Sequence, residues 1–283
     1  MDNGSVTLKS RHRRTDLDRI PDGMQRIRMQ VSYDGTEYAG WQRQDNAMSV
    51  QQCVEEALVS LTGEPISVIG SSRTDAGVHA EGLVCHFDTG SHIPPEKFSF
   101  ALNTRLPESI RVMESALAPD AFHARYSACA KSDRYLFYNG PHMCAIGRQY
   151  RMHVPLHMET DRMRQAAISL VGTHDFAAYM AAGSAAKSTV RTIYWADVWR
   201  QGDEVGIRVI GDGFLYNMVR IIAGTLAEIG TGKRDSSCVA EALETGDRLK
   251  LGATAEARGL VLERVFYEGD EEMLRRYMTP MCE

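Results

Sequence analysis

The sequence predicts an α+β fold with antiparallel sheets. Short strand-like runs alternate with amphipathic helical runs in the order β-α-β-β-α-β, and this order occurs twice along the 283 residues. Helices on one side of each antiparallel sheet would leave the opposite faces free to form a central cleft. The sequence therefore predicts two ferredoxin-like halves, residues 25–128 and residues 129–283, after a disordered tail at residues 1–24.

The first half begins with a strand at 25–33, where apolar and polar residues alternate. A helix follows, because Ser49 with Gln52 forms a capping box and Gly63 suits the helix end. Its apolar residues fall on one helical face: Val50, Val54, Ala57, Leu58 and Leu61. Further strands are predicted at 66–69, 83–87 and 110–117, with a second helix that begins at Pro95.

The second half repeats this order of strands and helices. Strands are predicted at 134–138, 190–199, 205–210 and 260–267, the middle two forming a hairpin at Gly202-Asp203. Helices are predicted from Thr160 to a closing Gly172, at 215–229 and at 237–244. The predicted boundary between the halves lies near Ala128.

Charge and composition leave the partner class open. The formal net charge is −5, but phosphate binding depends on local basic patches rather than on the total charge. No apolar stretch approaches the length of a membrane span. Transit peptides avoid acidic residues and signal peptides need an apolar block, and residues 1–24 contain acidic residues and no such block. We therefore expect these residues to form a disordered, mildly basic tail.

Cysteine and histidine spacing predicts no metal site. The six cysteines stand at positions 53, 85, 129, 144, 238 and 282, several of them in apolar runs, and indicate free thiols in a reducing cytoplasm. The histidines at positions 79, 86, 123 and 174 show no ligand pattern, and each is expected to be a hydrogen-bonded structural residue.

The segment of residues 71–80 is the candidate functional loop of the first half. Ser, Asp and Gly interrupt the apolar alternation between two predicted strands, and site residues tend to lie on such loops. Arg73 is close enough in sequence to pair with the Asp75 carboxylate or to hold a phosphate nearby. The residues alone favour a structural turn at Asp-Ala-Gly over a catalytic carboxylate.

The run Arg73-Thr74-Asp75-Ala76-Gly77-Val78-His79 resembles the signature of the tRNA pseudouridine synthase A family. Further motifs of that family follow in order from Tyr33 to Tyr267. The resemblance implies isomerisation of uridine to pseudouridine in the tRNA anticodon stem-loop, at positions 38 to 40. It also implies a cytoplasmic homodimer that needs no cofactor and no metal.

The resemblance assigns three catalytic residues. Asp75 corresponds to the nucleophile, which attacks the uridine at the base or at the sugar carbon. Arg73 would fill the space that the flipped nucleotide leaves, or hold its phosphate. Arg220, in the motif of residues 213–220, corresponds to the arginine that keeps the nucleophile ionised and oriented. Without the motif, Arg220 would be an arginine that extends from a helix to solvent.

Substrate-binding roles are expected on both sides of the predicted boundary. Arg125 belongs to a Phe-His-Ala-Arg motif of the family and, with Lys131, would contact phosphates, although a solvated basic patch fits as well. The motifs at residues 33–35 and 41–44 are expected to be structural with some RNA contact. Ser72 replaces the usual Gly, a mild change if this backbone position has a negative φ.

Asp133 is the departure that affects function. It stands where the family places the tyrosine that packs on the target base, and a carboxylate cannot supply that stacking. A neighbouring aromatic, Tyr135 or Tyr179, would have to take over. One alternative is therefore a catalytically weak or silent RNA-binding relative. A second alternative is a hydrolase that uses Asp75 with another carboxylate as an acid–base pair.

Overall fold

The structure, a computed structural model, describes residue 8, residues 19–184 and residues 186–280. The disordered tail predicted for residues 1–24 therefore lies largely outside the described residues. The chain forms two compact units. The N-terminal unit runs to Cys129 and includes Leu262–Asp270, and the C-terminal unit contains Ala130–Val261 and the residues from Glu271 onward.

The N-terminal unit is a mixed α+β unit around an antiparallel sheet. Its elements are β1 (Gln25–Tyr33), α1 (Val50–Thr62), β2 (Ile69–Gly70), β3 (His79–Thr89), α2 (Phe98–Asn103) and β4 (Ile110–Leu117). The sheet order is β4-β1-β3, and β2 also pairs with β3. Residues 262–266 of the last strand, Leu260–Phe266, lie on the other side of β3.

Local sequence signals explain these elements. Alternation in β1 turns Ile27, Met29 and Val31 into the core, where each is fully buried. The Ser49 hydroxyl caps α1 by accepting from the Gln52 N–H at 3.3 Å, and Gly63 ends the helix at φ +76°. The Gln52 side chain donates to Glu56 instead, so only half of the predicted capping box forms.

The C-terminal unit is likewise mixed α+β with mostly antiparallel pairing. Its elements are β5 (Ala130–Tyr138), β6 (Met152–His153), α3 (Thr160–Ile168), β7 (Gly172–Asp175), β8 (Val190–Gln201), β9 (Glu204–Gly211), α4 (Met218–Gly230), α5 (Cys238–Thr245) and α6 (Glu271–Tyr277), and β10 (Leu260–Phe266) starts in it. The sheet order is β5-β9-β8-β7, with β6 parallel to β5. Within the described residues, no helix is long and apolar enough to cross a membrane.

Several predicted boundaries are wrong, three of them for reasons that the local contacts show. The predicted strand at 66–69 shrinks to Ile69–Gly70, because side chains of α1 take the hydrogen-bonding groups of Val68. The helix that begins at Thr160 ends at Ile168, and Gly172 opens β7 rather than closing the helix. The predicted helix at 215–229 begins at Met218, because Asn217 has φ +60° and cannot continue a right-handed helix.

Candidate active site

The Asp75 loop comprises residues 71–78, and its first residue is anchored to strand β3. Ser71 is fully buried, and its N–H donates to the Val84 carbonyl at 2.8 Å. The Ser71 hydroxyl accepts in turn from the Val84 N–H at 3.2 Å. Two bonds to one residue of a central strand fix the loop immediately before Arg73 and Asp75.

The segment of residues 33–41 lies directly against the Asp75 loop. The hydroxyls of Tyr33 and Thr74 are 2.7 Å apart, and the Trp41 N–H donates to the Thr74 carbonyl at 3.2 Å. On the other side of Asp75, the Gly77 N–H donates to the Tyr38 carbonyl at 3.2 Å. Tyr33 and Trp41, from the two motifs, thus hold the loop before Asp75, and Tyr38, which lies between the motifs, holds it after Asp75.

Two glycines allow this close approach. A Cβ atom on Gly40, which has φ +88°, would lie 2.2 Å from the Thr74 carbonyl oxygen and 3.0 Å from the Asp75 carbonyl carbon. A Cβ atom on Gly35 would lie 2.0 Å from the Val78 carbonyl oxygen. Any side chain at either position would displace the backbone of the Asp75 loop.

The predicted Asp-Ala-Gly turn is confirmed. The Val78 N–H donates to the Asp75 carbonyl at 3.1 Å, and Gly77 takes φ +77°, as a type II turn requires at its third residue. Asp75 is half-buried, whereas Arg73 and Ala76 are exposed. Ser72 has no positive φ, so its departure from the family glycine causes no backbone strain.

His79 connects the end of the loop with the end of β1. It is 3% exposed, and its Nδ1 accepts from the Gly35 N–H at 3.0 Å and lies 3.1 Å from the Asp34 Oδ1. This histidine is structural, as the sequence predicted. It belongs to β3 rather than to the loop, so the predicted strand at 83–87 begins earlier than expected.

Two further histidines shape the turn that carries Arg125. His86 Nδ1 accepts from the Ala124 N–H at 3.1 Å. His123 Nδ1 accepts from the N–H groups of Arg125 and Tyr126 at 3.2 and 3.1 Å. Both rings are buried. Three consecutive backbone N–H groups, those of residues 124–126, therefore donate to buried imidazole nitrogens. Sequence reasoning predicted structural histidines but did not connect them with Arg125.

Arg73 and Arg125 line one pocket, which we call the arginine pocket. The other lining residues are Trp41, Gln42, Gln51, Ser67, Val68, Ile69, Gly70 and Ser72. Among the described residues, neither guanidinium donates a hydrogen bond or forms an ion pair, although the Arg125 guanidinium lies 6.0 Å from the centre of the Tyr126 ring. The role of Arg73 stays a prediction, with its guanidinium exposed at this pocket.

Arg220 lies in the first turn of α4 in the C-terminal unit. Its Nε donates to the Ala255 carbonyl and its Nη1 to the Asn217 Oδ1, both at 2.8 Å. Asn217 precedes the helix with φ +60° and is the one described non-glycine residue with a positive φ. Such strained positions concentrate at functional sites. Here the left-handed residue places an acceptor beside the Arg220 guanidinium.

Three further predicted residues share one face of β5. Lys131 and Asp133 are half-buried, whereas Tyr135 is fully buried and donates its hydroxyl to the Glu256 carbonyl at 2.7 Å. Burial raises the pKa of the Tyr135 phenol, which keeps this donor protonated. Tyr179 is also buried and bonds to the Val239 carbonyl at 3.2 Å. The substrate-binding roles of these residues stay predictions.

Comparison with known proteins identifies the family. The family profile described as "tRNA pseudouridine synthase" matches residues 29–127 and 166–268. The tRNA pseudouridine synthase A of Ruminiclostridium cellulolyticum is 49% identical over 245 residues, which cover 86% of this chain and 100% of that protein. The proteins of the same name from Clostridium kluyveri and Syntrophotalea carbinolica are 46% and 47% identical, covering 86% and 85% of this chain and 100% and 96% of their own length. The chain therefore belongs to the tRNA pseudouridine synthase family, whose members are isomerases that act on uridine in tRNA.

Proposed function

We propose that this chain converts uridine to pseudouridine in the anticodon stem-loop of tRNA, at positions 38 to 40, with Asp75 as the nucleophile. The observation that carries the proposal is the fixation of the Asp75 loop. Hydrogen bonds and two close-approach glycines hold the backbone on both sides of a half-buried carboxylate. Catalytic groups require such a rigid supporting shell.

The proposed chemistry uses one carboxylate and a flipped nucleotide. Asp75 attacks the base or the sugar carbon, and the bond between N1 and C1′ breaks. The uracil turns over and C5 bonds to C1′, while the bond to the Asp75 carboxylate breaks. C5 then loses its hydrogen as a proton, and N1 gains a proton. Arg73 holds the flipped nucleotide or fills the space it leaves. Flipping costs a few kcal/mol, which a loop or stem-end uridine reduces.

Arg220 is proposed to keep the nucleophile ionised. A cationic partner favours the charged form of a carboxylate. Two hydrogen bonds, to Ala255 and Asn217, orient this guanidinium before any substrate arrives, which supports a role other than a side chain extended into solvent. Preorganised charges stabilise ionic groups without reorganisation during the reaction.

We also propose the remaining family properties for this chain, namely a cytoplasmic location, homodimer assembly and two ferredoxin-like halves, 25–128 and 129–283. The order β4-β1-β3-β2 in the N-terminal unit supports the architecture, because it is the strand order that a β-α-β-β-α-β unit gives when it folds as a ferredoxin-like sheet.

Tritium release tests the proposed function. A tRNA transcribed with [5-³H]uridine loses its label to water when C5 forms the new bond to C1′. We expect release that depends on uridines at positions 38 to 40. Release of free uracil would favour the hydrolase instead, and tight tRNA binding without release would favour the silent RNA-binding relative.

The salt dependence of tRNA binding tests the two proposed phosphate contacts. Neutralising Z phosphates of single-stranded RNA gives a log–log slope of about −0.7Z. Arg125→Ala and Lys131→Ala should each flatten the slope by about 0.7 if each residue neutralises one phosphate. Binding would be measured between low and physiological salt. Slopes that stay unchanged in both variants would place the RNA path elsewhere.

Asp133 supplies the observation behind the second candidate, a weak or silent relative. An aromatic ring against a flipped base contributes about 1–3 kcal/mol. We therefore expect slow isomerisation by the natural chain and a gain of about 5- to 150-fold for Asp133→Tyr. Both proteins would be assayed on the same unmodified tRNA. Equal and fast rates would show that position 133 lies outside the site.

A further inference from the structure

We propose that Arg73 and Arg125 form one phosphate-binding subsite in the arginine pocket, which takes a single phosphodiester of the RNA backbone. The proposal rests on the proposed function, and it goes beyond that function by making the two arginines act together on one anion. It also assigns Arg73 to the phosphate rather than to the space of the flipped base.

The charge of the pocket is the first observation. Its lining contains two arginines and no carboxylate, whereas the whole chain has a formal net charge of −5. Two guanidinium groups that face one pocket repel each other, and an anion between them removes that repulsion. Arginine also presents paired N–H donors that match the oxygens of a phosphate.

The availability of both guanidinium groups is the second observation. Several described arginines of the N-terminal unit have carboxylate partners, as Arg26 has in Asp88 and Arg43 in Glu55. Neither Arg73 nor Arg125 has such a partner among the described residues, and both are exposed. Their donors are therefore available to a ligand.

The backbone on each side of the pocket is rigid. Arg73 lies between Ser71, which is bound to β3, and Thr74, which is bound to Tyr33 and Trp41. Arg125 lies in the turn whose N–H groups bond to His86 and His123. The Tyr267 hydroxyl also donates to the Ala124 carbonyl at 2.7 Å. The backbone at both arginines is therefore held before a ligand arrives, which lowers the entropic cost of binding.

Buried polar bonds fix another part of the pocket lining. The Gln51 amide accepts from the Gln42 side chain and the Arg43 N–H, and it donates to Glu55 and to the Val68 carbonyl. Gln51 is 7% exposed, so these four bonds occupy its amide in a buried setting. A Cβ atom on Gly70 would lie 2.4 Å from the Trp41 Nε1, so the indole packs directly on the backbone of strand β2.

The location of the pocket indicates which phosphate of the RNA it would bind. Arg73 precedes Asp75 by two residues on the same fixed loop. A phosphate held by Arg73 would therefore belong to a nucleotide near the reacting uridine. Such a contact positions the RNA backbone without reading sequence.

Inorganic phosphate is the probe for the pocket itself. In the full-length protein, the Arg Nε–H resonances of Arg73 and Arg125 would be followed by NMR during a phosphate titration. We expect both resonances to shift with one common apparent Kd. Arg125→Gln should abolish the shift at Arg73, and Arg73→Gln should abolish the shift at Arg125. Independent shifts, or no shift at either residue, would overturn the subsite.

Binding of tRNA separates an RNA phosphodiester from free phosphate. Arg73→Gln and Arg125→Gln should each weaken tRNA binding about tenfold, and the double variant should weaken it little further. Each of the three variants should flatten the salt slope by about 0.7, because one phosphate is lost in every case. Multiplicative losses, or a double-variant flattening near 1.4, would show two separate phosphates. Phosphate binding with unchanged tRNA affinity would restrict the pocket to free phosphate.

Arg105→Gln provides a matched control. Arg105 is exposed in the same unit, but its guanidinium bonds to Ala101 and Thr104 and lies outside the pocket lining. We expect its tRNA affinity to stay within about twofold of the natural chain. If the subsite proposal is wrong but the proposed function is right, tritium release will still depend on Asp75. If the proposed function is wrong but the subsite exists, the phosphate titration will still shift both arginine resonances.

Discussion

Replacing Asp75 with Asn is expected to reduce isomerisation to an undetectable level while the fold stays intact. The amide fills the same space as the carboxylate but cannot act as the nucleophile. The bonds that the loop makes through Ser71, Thr74 and Gly77 do not use the Asp75 side chain. These bonds should persist in the variant, so we expect the loss of activity to exceed any loss of stability.

The measurement is tritium release at saturating tRNA, together with thermal unfolding and tRNA affinity. Asp45→Asn is the matched control, because Asp45 is an exposed residue outside the Asp75 loop in the same unit. It should keep full activity. Activity of the Asp75→Asn variant above about a tenth of the natural rate would remove Asp75 from the nucleophile role.

Elements with strong local signals could be predicted from the sequence. Strands β1 and β4 were placed to the residue by alternation, and Ser49 and Gly63 marked both ends of α1. Strand β7 was missed because Gly172-Thr173-His174-Asp175 is polar, so pairing with β8 rather than local preference makes it a strand. The start of α4 was missed because a left-handed Asn217 leaves no signal in apolar periodicity.

The candidate site likewise contains some residues that could be predicted from the sequence and some that could not. A local turn motif and a family resemblance were enough to select Arg73 and Asp75. The arginine pocket joins residues about fifty positions apart, and no periodic pattern reports such a contact. The roles of His86 and His123 depend on which backbone donors approach their rings in the folded chain. These features arise from tertiary packing, which a single sequence does not display.

Gly40→Ala is expected to lower the isomerisation rate at least about a hundredfold, because it moves the backbone that carries Asp75. A Cβ atom at this position would overlap the Thr74 carbonyl oxygen at 2.2 Å, and that oxygen accepts the bond from Trp41. The loop must shift by roughly an ångström to relieve the overlap. Misplacement of that size costs about a hundredfold in rate.

A left-handed backbone conformation adds a second cost, which a matched variant isolates. Gly63 has φ +76°, close to the +88° of Gly40, but a Cβ atom there would meet nothing within 4 Å. Both substitutions therefore impose the strain of a left-handed alanine, about 1–2 kcal/mol. Only Gly40→Ala also displaces the Asp75 loop. Gly63→Ala should lower the free energy of unfolding and leave the rate per folded molecule unchanged.

Gly35→Ala tests the steric effect without left-handed strain. Gly35 has no positive φ, yet a Cβ atom would lie 2.0 Å from the Val78 carbonyl oxygen at the far end of the loop. The isomerisation rate of the Gly35→Ala variant should fall as that of the Gly40→Ala variant does. The tRNA affinity of Gly35→Ala should stay near that of the natural chain. If Gly40→Ala and Gly63→Ala instead lost the same activity per folded molecule, the close approach of residues 35–40 would not position Asp75. The effect of Gly40 would then be backbone strain alone.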